Sequence, residues 1–356
     1  MTLTDYSCDL RRDLHSKLCA NQKLVTEFFA DRLGHARYPI YSSYDIRDAG
    51  YKITNVDGNV YPAGFNNICP QDKAYAPELV KTYLHSKYGN SLKRIYLVTE
   101  EHMSNTHYWE NILSLNEMLE KAGFEIQIGI PRLLTSPLLL QSTSVVIVEV
   151  LSAHPHSDHF KEFAPDLIIS NNDFSQSYGE WANELQIPID PPRELGWYQR
   201  KKSSYFFHYN RLAGEFAKNI GVDPFQLQVE TELFANFDIS DPESRNALAD
   251  QVDKVLARLK GKYVERGIQQ EPFVFVKNNS GTYGLAVIRV SSGSEVRTWS
   301  YKSRKKMKAA KGGRDVEEVI IQEGIPTIHT QDGMTSEPVI YLIGKSLAGG
   351  FLRSHS

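Results

Sequence analysis

Apolar residues recur at helical spacing between about residues 9 and 33, at Leu14, Leu18, Leu24, Val25, Phe28 and Phe29, and predict an amphipathic helix. The next stretch, 43–67, is polar, follows no period and reads as irregular chain. A strand is expected at 93–99, an amphipathic helix at 106–121, and a strand at 124–130 opened by Ala122-Gly123. Further apolar runs at 144–150 and 166–170 read as strands. Strands alternating with helices in this way imply a partly parallel α/β sheet. After Ile187-Pro188-Ile189-Asp190-Pro191-Pro192 the pattern turns helical, at 205–219 and 241–264, and then strand-rich, at 318–322, 338–343 and 349–353. The expected division is an N-terminal α/β domain, 1–195, and a C-terminal α+β domain, 196–356. The second has a helical part at 196–270 and a β-rich part at 271–356.

The β-rich part opens with the most informative segment. Val274, Phe275 and Val276 precede Lys277, and Val287, Ile288 and Val290 follow a short polar loop. Both runs are too short for helices, so the segment predicts a hairpin. Gly281-Thr282-Tyr283-Gly284 can fold backbone N–H groups over an anion, with Lys277 adding positive charge. A tight hairpin with a surface lysine is the alternative. Val319-Ile320-Ile321-Gln322-Glu323 reads as a strand whose polar end either faces a nucleotide or is simply solvated.

Bulk composition narrows the field. The chain has 356 residues, 41% hydrophobic and 23% charged, and a net charge of −3, which argues against generic attraction to nucleic acid or membranes. No apolar run is long enough to span a bilayer, and no signal segment is evident. Cys8, Cys19 and Cys69 lack CxxC spacing and read as reduced thiols, so a cytoplasmic protein is expected.

Other motifs admit two readings each. Eight Lys or Arg residues and no acid lie between Arg297 and Arg314, which suits a solvated helix face better than a nucleic-acid module. His154-Pro155-His156-Ser157-Asp158-His159 follows a strand as a dinuclear zinc motif of a hydrolase would, yet the later ligands such a site needs are missing. The polar stretch 43–67 suits recognition of a small zwitterion. Arg47 and Lys52 would take carboxylates, Asp45 an ammonium, and amides such as Asn66 and Asn67 the remainder. A long irregular connection is the alternative.

The residues from Asp45-Ile46-Arg47-Asp48-Ala49-Gly50-Tyr51-Lys52 through Pro62-Ala63-Gly64-Phe65-Asn66-Asn67 carry a family resemblance. So do Glu100, His102 and Asn105, Asn171-Asn172-Asp173, Gly196-Trp197 with Arg200-Lys201-Lys202-Ser203, residues 273–284, 319–323 and 337–339, and Gly349-Gly350-Phe351-Leu352-Arg353. Over about 21–353 the chain resembles the proteobacterial glutamate–cysteine ligase family of the ATP-grasp type. It departs from the family at Asn279, Ala286 and Gly344. The family also continues beyond Arg353 into a segment resembling Mg²⁺ ligands, whereas this sequence stops at Ser356.

The resemblance implies an ATP-grasp-like fold that joins glutamate, through γ-glutamyl phosphate, to cysteine, the first step of glutathione biosynthesis, with ATP and Mg²⁺ as cofactors. Lys277, Gly281, Thr282, Tyr283 and Gly284 would hold phosphates, Gln322 and Glu323 adenosine, and Arg200 and Lys202 would reach phosphate across the cleft. Arg353 would stabilise the transferring phosphoryl group, and Glu337 is the late carboxylate nominated for Mg²⁺. Asp45, Arg47, Lys52, Asn66 and Asn67 would hold the amino acids. The expected partners are therefore small molecules. The early stop raises the alternative of a shortened protein that binds ATP without turnover.

Overall fold

The computed structural model describes residues 3–281, 286–308 and 316–355. The first helical region is two helices, α1 (Leu3–Ala20) and α2 (Gln22–His35), which break at Asn21. Strands β1 (Tyr41–Asp48) and β2 (Ile53–Asn59) follow, then α3 (Pro70–Tyr88), β3 (Arg94–Val98), α4 (Thr106–Lys121) and β4 (Glu125–Ile130). The N-terminal half continues with β5 (Leu138–Gln141), β6 (Ile147–Ser152), α5 (Asp158–Phe163), β7 (Leu167–Ser170), α6 (Gly179–Glu184) and β8 (Ile189–Asp190). Strands β3 to β8 form one sheet in the order β5-β6-β4-β3-β7-β8, parallel except for β5 against β6.

The apolar run at 93–99 has no polar alternation because both faces of β3 are covered. Ile95 and Leu97 pack with Trp109, Ile112 and Leu115 of α4, whereas Tyr96 and Val98 pack with Phe160, Phe163 and Trp181 from α5 and α6. Near-continuous apolar strands of this kind are what a parallel sheet between helical layers requires. Helix α4 begins where Asn105 caps it, its side chain accepting from the Tyr108 N–H at 3.2 Å.

A second sheet is antiparallel. It is built after α7 (Lys202–Asn219) from β9 (Thr231–Phe234), β10 (Val274–Asn278), β11 (Val287–Val290) and β12 (Val319–Glu323), in the order β11-β10-β12-β9. Helix α8 (Pro242–Glu265) covers one face, with Leu248, Val252, Val255 and Leu259 against Val274, Val276, Val319 and Ile321. Asp241 caps α8 by accepting from the N–H groups of Glu243 and Ser244, ahead of a proline in the first turn. The intervening basic segment forms α9 (Gly293–Arg297) and α10 (Tyr301–Lys308), and its remaining residues, 309–315, lie outside the described residues. The opposite face of the sheet carries Phe275, Lys277 and Gln322.

A third sheet corrects one expectation and joins strands from both halves of the chain. Residues 43–59 are not irregular: β1 and β2 form an antiparallel hairpin with a bulge at Asp45/Ile46. Strands β13 (Thr330–Gln331), β14 (Met334–Ile343) and β15 (Ser346–His355) then return to it, giving the order β13-β14-β1-β2 with β15 on the other side of β14. Ser43 pairs with Tyr341 and Asp45 with Val339, so this sheet runs across the expected 195/196 boundary. Long-range pairing of this kind leaves no local mark in the sequence. The polar stretch escaped recognition because Ser43, Asp45 and Arg47, alternate residues of β1, face a cavity rather than a core. Buried Asp190 fastens the third sheet to the first. It accepts from the Ile40 N–H at 2.9 Å, the Tyr83 hydroxyl at 2.7 Å and the Lys87 ammonium at 2.9 Å. Among the described residues, no helix is long and apolar enough to cross a membrane.

Candidate active site

The second and third sheets enclose a cavity of about 520 Å³. That is within the usual size for a small-molecule or cofactor site. On one side, three cations converge on consecutive residues of β2. Lys277 Nζ donates to the Val56 carbonyl at 3.3 Å, Lys202 Nζ pairs with the Asp57 carboxylate, and Arg200 Nη2 donates to the Gly58 carbonyl at 2.9 Å. Lys277 also donates to Gln322 Oε1 at 2.6 Å, along the face where Phe275 opposes Gln322 and Lys277 opposes Ile320. Burial pushes the Lys277 pKa down to about 8, Asp57 resists the shift, and Lys202 adds to it. Burial also works against the charge of Asp57, but Lys202 and then Lys277 outweigh it and hold its pKa below the ordinary carboxylate value.

Across the third sheet the charges alternate. Glu337 is buried between two guanidiniums: Arg353 Nε donates to its Oε1 at 2.9 Å, and Arg47 pairs with its Oε2. Arg353 also pairs with Asp45. The register produces this set, because Glu337 of β14 lies opposite Arg353 of β15 and β14 in turn pairs with β1. Burial raises the Asp45 pKa and Arg353 opposes that shift. Burial works against the Arg353 charge, yet Asp45 and Glu337 more than compensate and raise its pKa.

The geometry brings several of the residues assigned from sequence to the cavity and leaves others away from it. Asp45, Arg47, Lys202, Lys277, Gly281, Gln322, Glu323, Glu337 and Arg353 all line the cavity. Arg200 stands behind the lining and reaches it through Gly58. Thr282, Tyr283 and Gly284 lie outside the described residues. Lys52 is not a substrate contact: it is 1% exposed and bonded to both Glu323 oxygens, at 2.7 and 2.8 Å. The same pair withdraws the Glu323 carboxylate from any ribose. Asn66 and Asn67 sit on a short 3₁₀ turn outside the cavity lining, where Asn66 Nδ2 donates to Asn67 Oδ1 at 3.2 Å.

Asp57, Asp173 and Tyr341 also line the cavity and received no role from sequence. Asp57 could have been noticed from the Asn55-Val56-Asp57-Gly58-Asn59 cluster, whereas Tyr341 looks like any core aromatic of a strand.

Metal fit is poor for the residue nominated. Glu337 has its two oxygens engaged by Arg353 and Arg47, so a divalent cation there would displace two guanidiniums. Among the described residues, no three His, Cys, Asp or Glu side chains converge to hold an ion. As it stands, Glu337 is therefore committed to the two guanidiniums rather than open to Mg²⁺. The histidine cluster is engaged otherwise: His156 Nε2 lies 3.1 Å and His154 Nε2 4.0 Å from Glu184.

Comparison with known proteins gives the family. Residues 15–356 match the family of glutamate–cysteine ligases. The fold superposes on the crystal structure of a Methylobacillus flagellatus KT protein assigned as a γ-glutamylcysteine synthetase. The TM-score is 0.87 and the identity 33%, over 96% of this chain and 81% of that one. Two distant likenesses carry no argument. A glutathione synthetase-like effector, GSS30, of Globodera pallida has a TM-score of 0.38 and 12% identity, over 99% of this chain and 86% of its own. D-alanyl-alanine synthetase A of Vibrio cholerae O1 biovar eltor has a TM-score of 0.29 and 10% identity, over 71% and 69%. No curated protein matches the chain. The match makes this protein a ligase. It belongs to the glutamate–cysteine ligase family.

Proposed function

We propose that the cavity binds ATP and glutamate side by side and activates the glutamate γ-carboxylate by phosphorylation before cysteine attacks. The observation that carries this reading is the division of charge across the cavity. Lys202, Lys277 and Arg200 gather on the side of β10 and α7, where a triphosphate needs neutralising. Phe275, Val56, Val287 and Ile325 add apolar lining suited to a base. Arg47, Glu337, Arg353 and Asp45 lie on the side of β14 and β15, where two guanidiniums and two carboxylates sum to no net charge. A zwitterionic amino acid fits such a set. Its carboxylate can take the place of Asp45 on Arg353, while its ammonium takes the freed Asp45. On this reading Arg353 serves the amino acid rather than the phosphoryl group, and Gln322 aims Lys277.

A γ-carboxylate oxygen attacks the γ-phosphorus, the bond to the β–γ bridging oxygen breaks, and ADP leaves. The cysteine amine then attacks the acyl carbon, the bond from carbon to the phosphate oxygen breaks, and inorganic phosphate departs as the amine releases a proton. The side chains' part is to neutralise, orient and keep water from the acyl phosphate. Trapping tests the order of events. With ATP and glutamate but no cysteine, hydroxylamine is expected to yield γ-glutamyl hydroxamate and stoichiometric ADP. Formation of γ-glutamylcysteine from a protein that gives no hydroxamate would refute the acyl-phosphate step.

A further inference from the structure

Three cations on three consecutive residues leave one of those residues conspicuous. Lys277 and Arg200 bond the carbonyls of Val56 and Gly58, at 3.3 and 2.9 Å, but Lys202 meets the side chain of the residue between them. That side chain is the Asp57 carboxylate. It lines the cavity beside Lys202, with 42% of its side chain exposed against 7% for the lysine. Behind Gly58, Arg200 Nη1 is buried with no hydrogen-bond partner among the described residues, so the cluster holds positive charge that the protein does not fully satisfy. Trp197 stacks 4.8 Å from both Arg200 Cζ and Lys202 Nζ, which holds the two cations in place and excludes water from one side of them.

We propose that Asp57 is a tethered counter-anion, occupying the seat that a phosphate of the nucleotide takes, so that binding exchanges one anion for another. The proposal rests on the reading of this cavity as an ATP site and adds a specificity residue to it. An unliganded cluster of buried cations repels itself, and a built-in carboxylate relieves that repulsion. It also sets a threshold. A weakly charged anion gains little from Lys202 and Lys277 while Asp57 competes for them, whereas a polyphosphate carries enough charge to turn the carboxylate out. The downward shift of the Asp57 pKa by Lys202 and Lys277 fits a carboxylate that stays ionised and competitive at neutral pH.

The opposite role is easily distinguished. Were Asp57 a support that aims the lysines, its neutralisation would weaken anion binding. Calorimetric titration of the full chain with inorganic pyrophosphate, in EDTA and at pH 6.5, reads the sign directly. The Asp57→Asn variant is expected to bind pyrophosphate about tenfold more tightly than the parent, the scale of one charge-assisted contact. Asp57→Glu, which keeps the charge, should restore the parental affinity. Should the asparagine variant fail to fold, Asp57→Ser is expected to show the same gain. Unchanged or weaker pyrophosphate binding by a folded, neutral variant would overturn the proposal. Failure of the underlying reading shows differently, as a parent protein to which ATP does not bind.

Discussion

Lys52 and Glu323 form a buried ion pair between the turn of the β1–β2 hairpin and the end of β12. The ammonium touches both carboxylate oxygens and lies 3.8 Å from the centre of the Phe225 ring. Tyr263 donates to the same carboxylate at 3.1 Å, and so does the Glu230 N–H. The pair ties the second sheet to the third, and the cavity lies between those sheets. Lys52→Met strands a buried charge and is expected to cost about 3–5 kcal/mol of stability, measured by urea unfolding. Lys52→Met with Glu323→Gln should recover a large part of that loss. A direct substrate role would instead appear as a raised KM at unchanged stability.

Lys277 predicts a pH dependence. Burial lowers its pKa to about 8, and the strongly negative ATP of the proposed complex would raise it. The complex therefore holds more protons than the free protein once pH exceeds about 8. ATP affinity should be level below that pH and fall above it, with net proton uptake on binding. Calorimetry in buffers of different ionisation enthalpy measures the uptake. Lys277→Met should remove both the uptake and at least about tenfold of the affinity. Proton uptake undiminished in the variant would assign the titration to another group.

Arg353 separates the two sides of the cavity. A lysine there keeps the charge but loses the fork that spans Asp45 and Glu337. Arg353→Lys is expected to raise the KM for glutamate about tenfold, on the scale of a charge-assisted hydrogen bond, and to leave the KM for ATP within about twofold. The reverse pattern, with ATP affected and glutamate spared, would return Arg353 to the phosphoryl group.

Trp197 offers an optical readout. With Arg200 and Lys202 both 4.8 Å from its ring, its emission should change when an anion draws them away. ATP titration is expected to alter tryptophan fluorescence in the parent and to leave Trp197→Phe unresponsive. A response that survives the substitution would place the change at another tryptophan.

Local pattern carried much of this architecture. Helix α4 spans the residues its apolar period predicts, and the β10–β11 hairpin around Lys277 follows from two β-branched runs parted by a polar loop. What escaped was set by partners far away in the chain. Lys52 reads as a candidate ligand in its polar surroundings, and only Glu323 arriving beside it makes it structural. Glu337 is nominated for Mg²⁺ as the late carboxylate of the chain, yet pairing of β14 with β15 and β1 delivers a guanidinium to each oxygen. Asp57 was missed for the converse reason, since an aspartate beside a glycine in a polar stretch looks like turn chemistry.

The pairing of β1 with β14 has a consequence for a chain that is made from one end. Asp45 waits 308 positions for Arg353. All strands of the parallel sheet lie between residues 94 and 190, so that sheet can complete itself while later residues are still being added. Until residues 334–343 arrive, β1 keeps an open edge and the cavity has no far wall. Closing so long a loop is slow as well as late. A half-made or clipped chain ending before Met334 therefore has every strand of the parallel sheet but lacks the strands that bring Glu337 and Arg353 to the cavity.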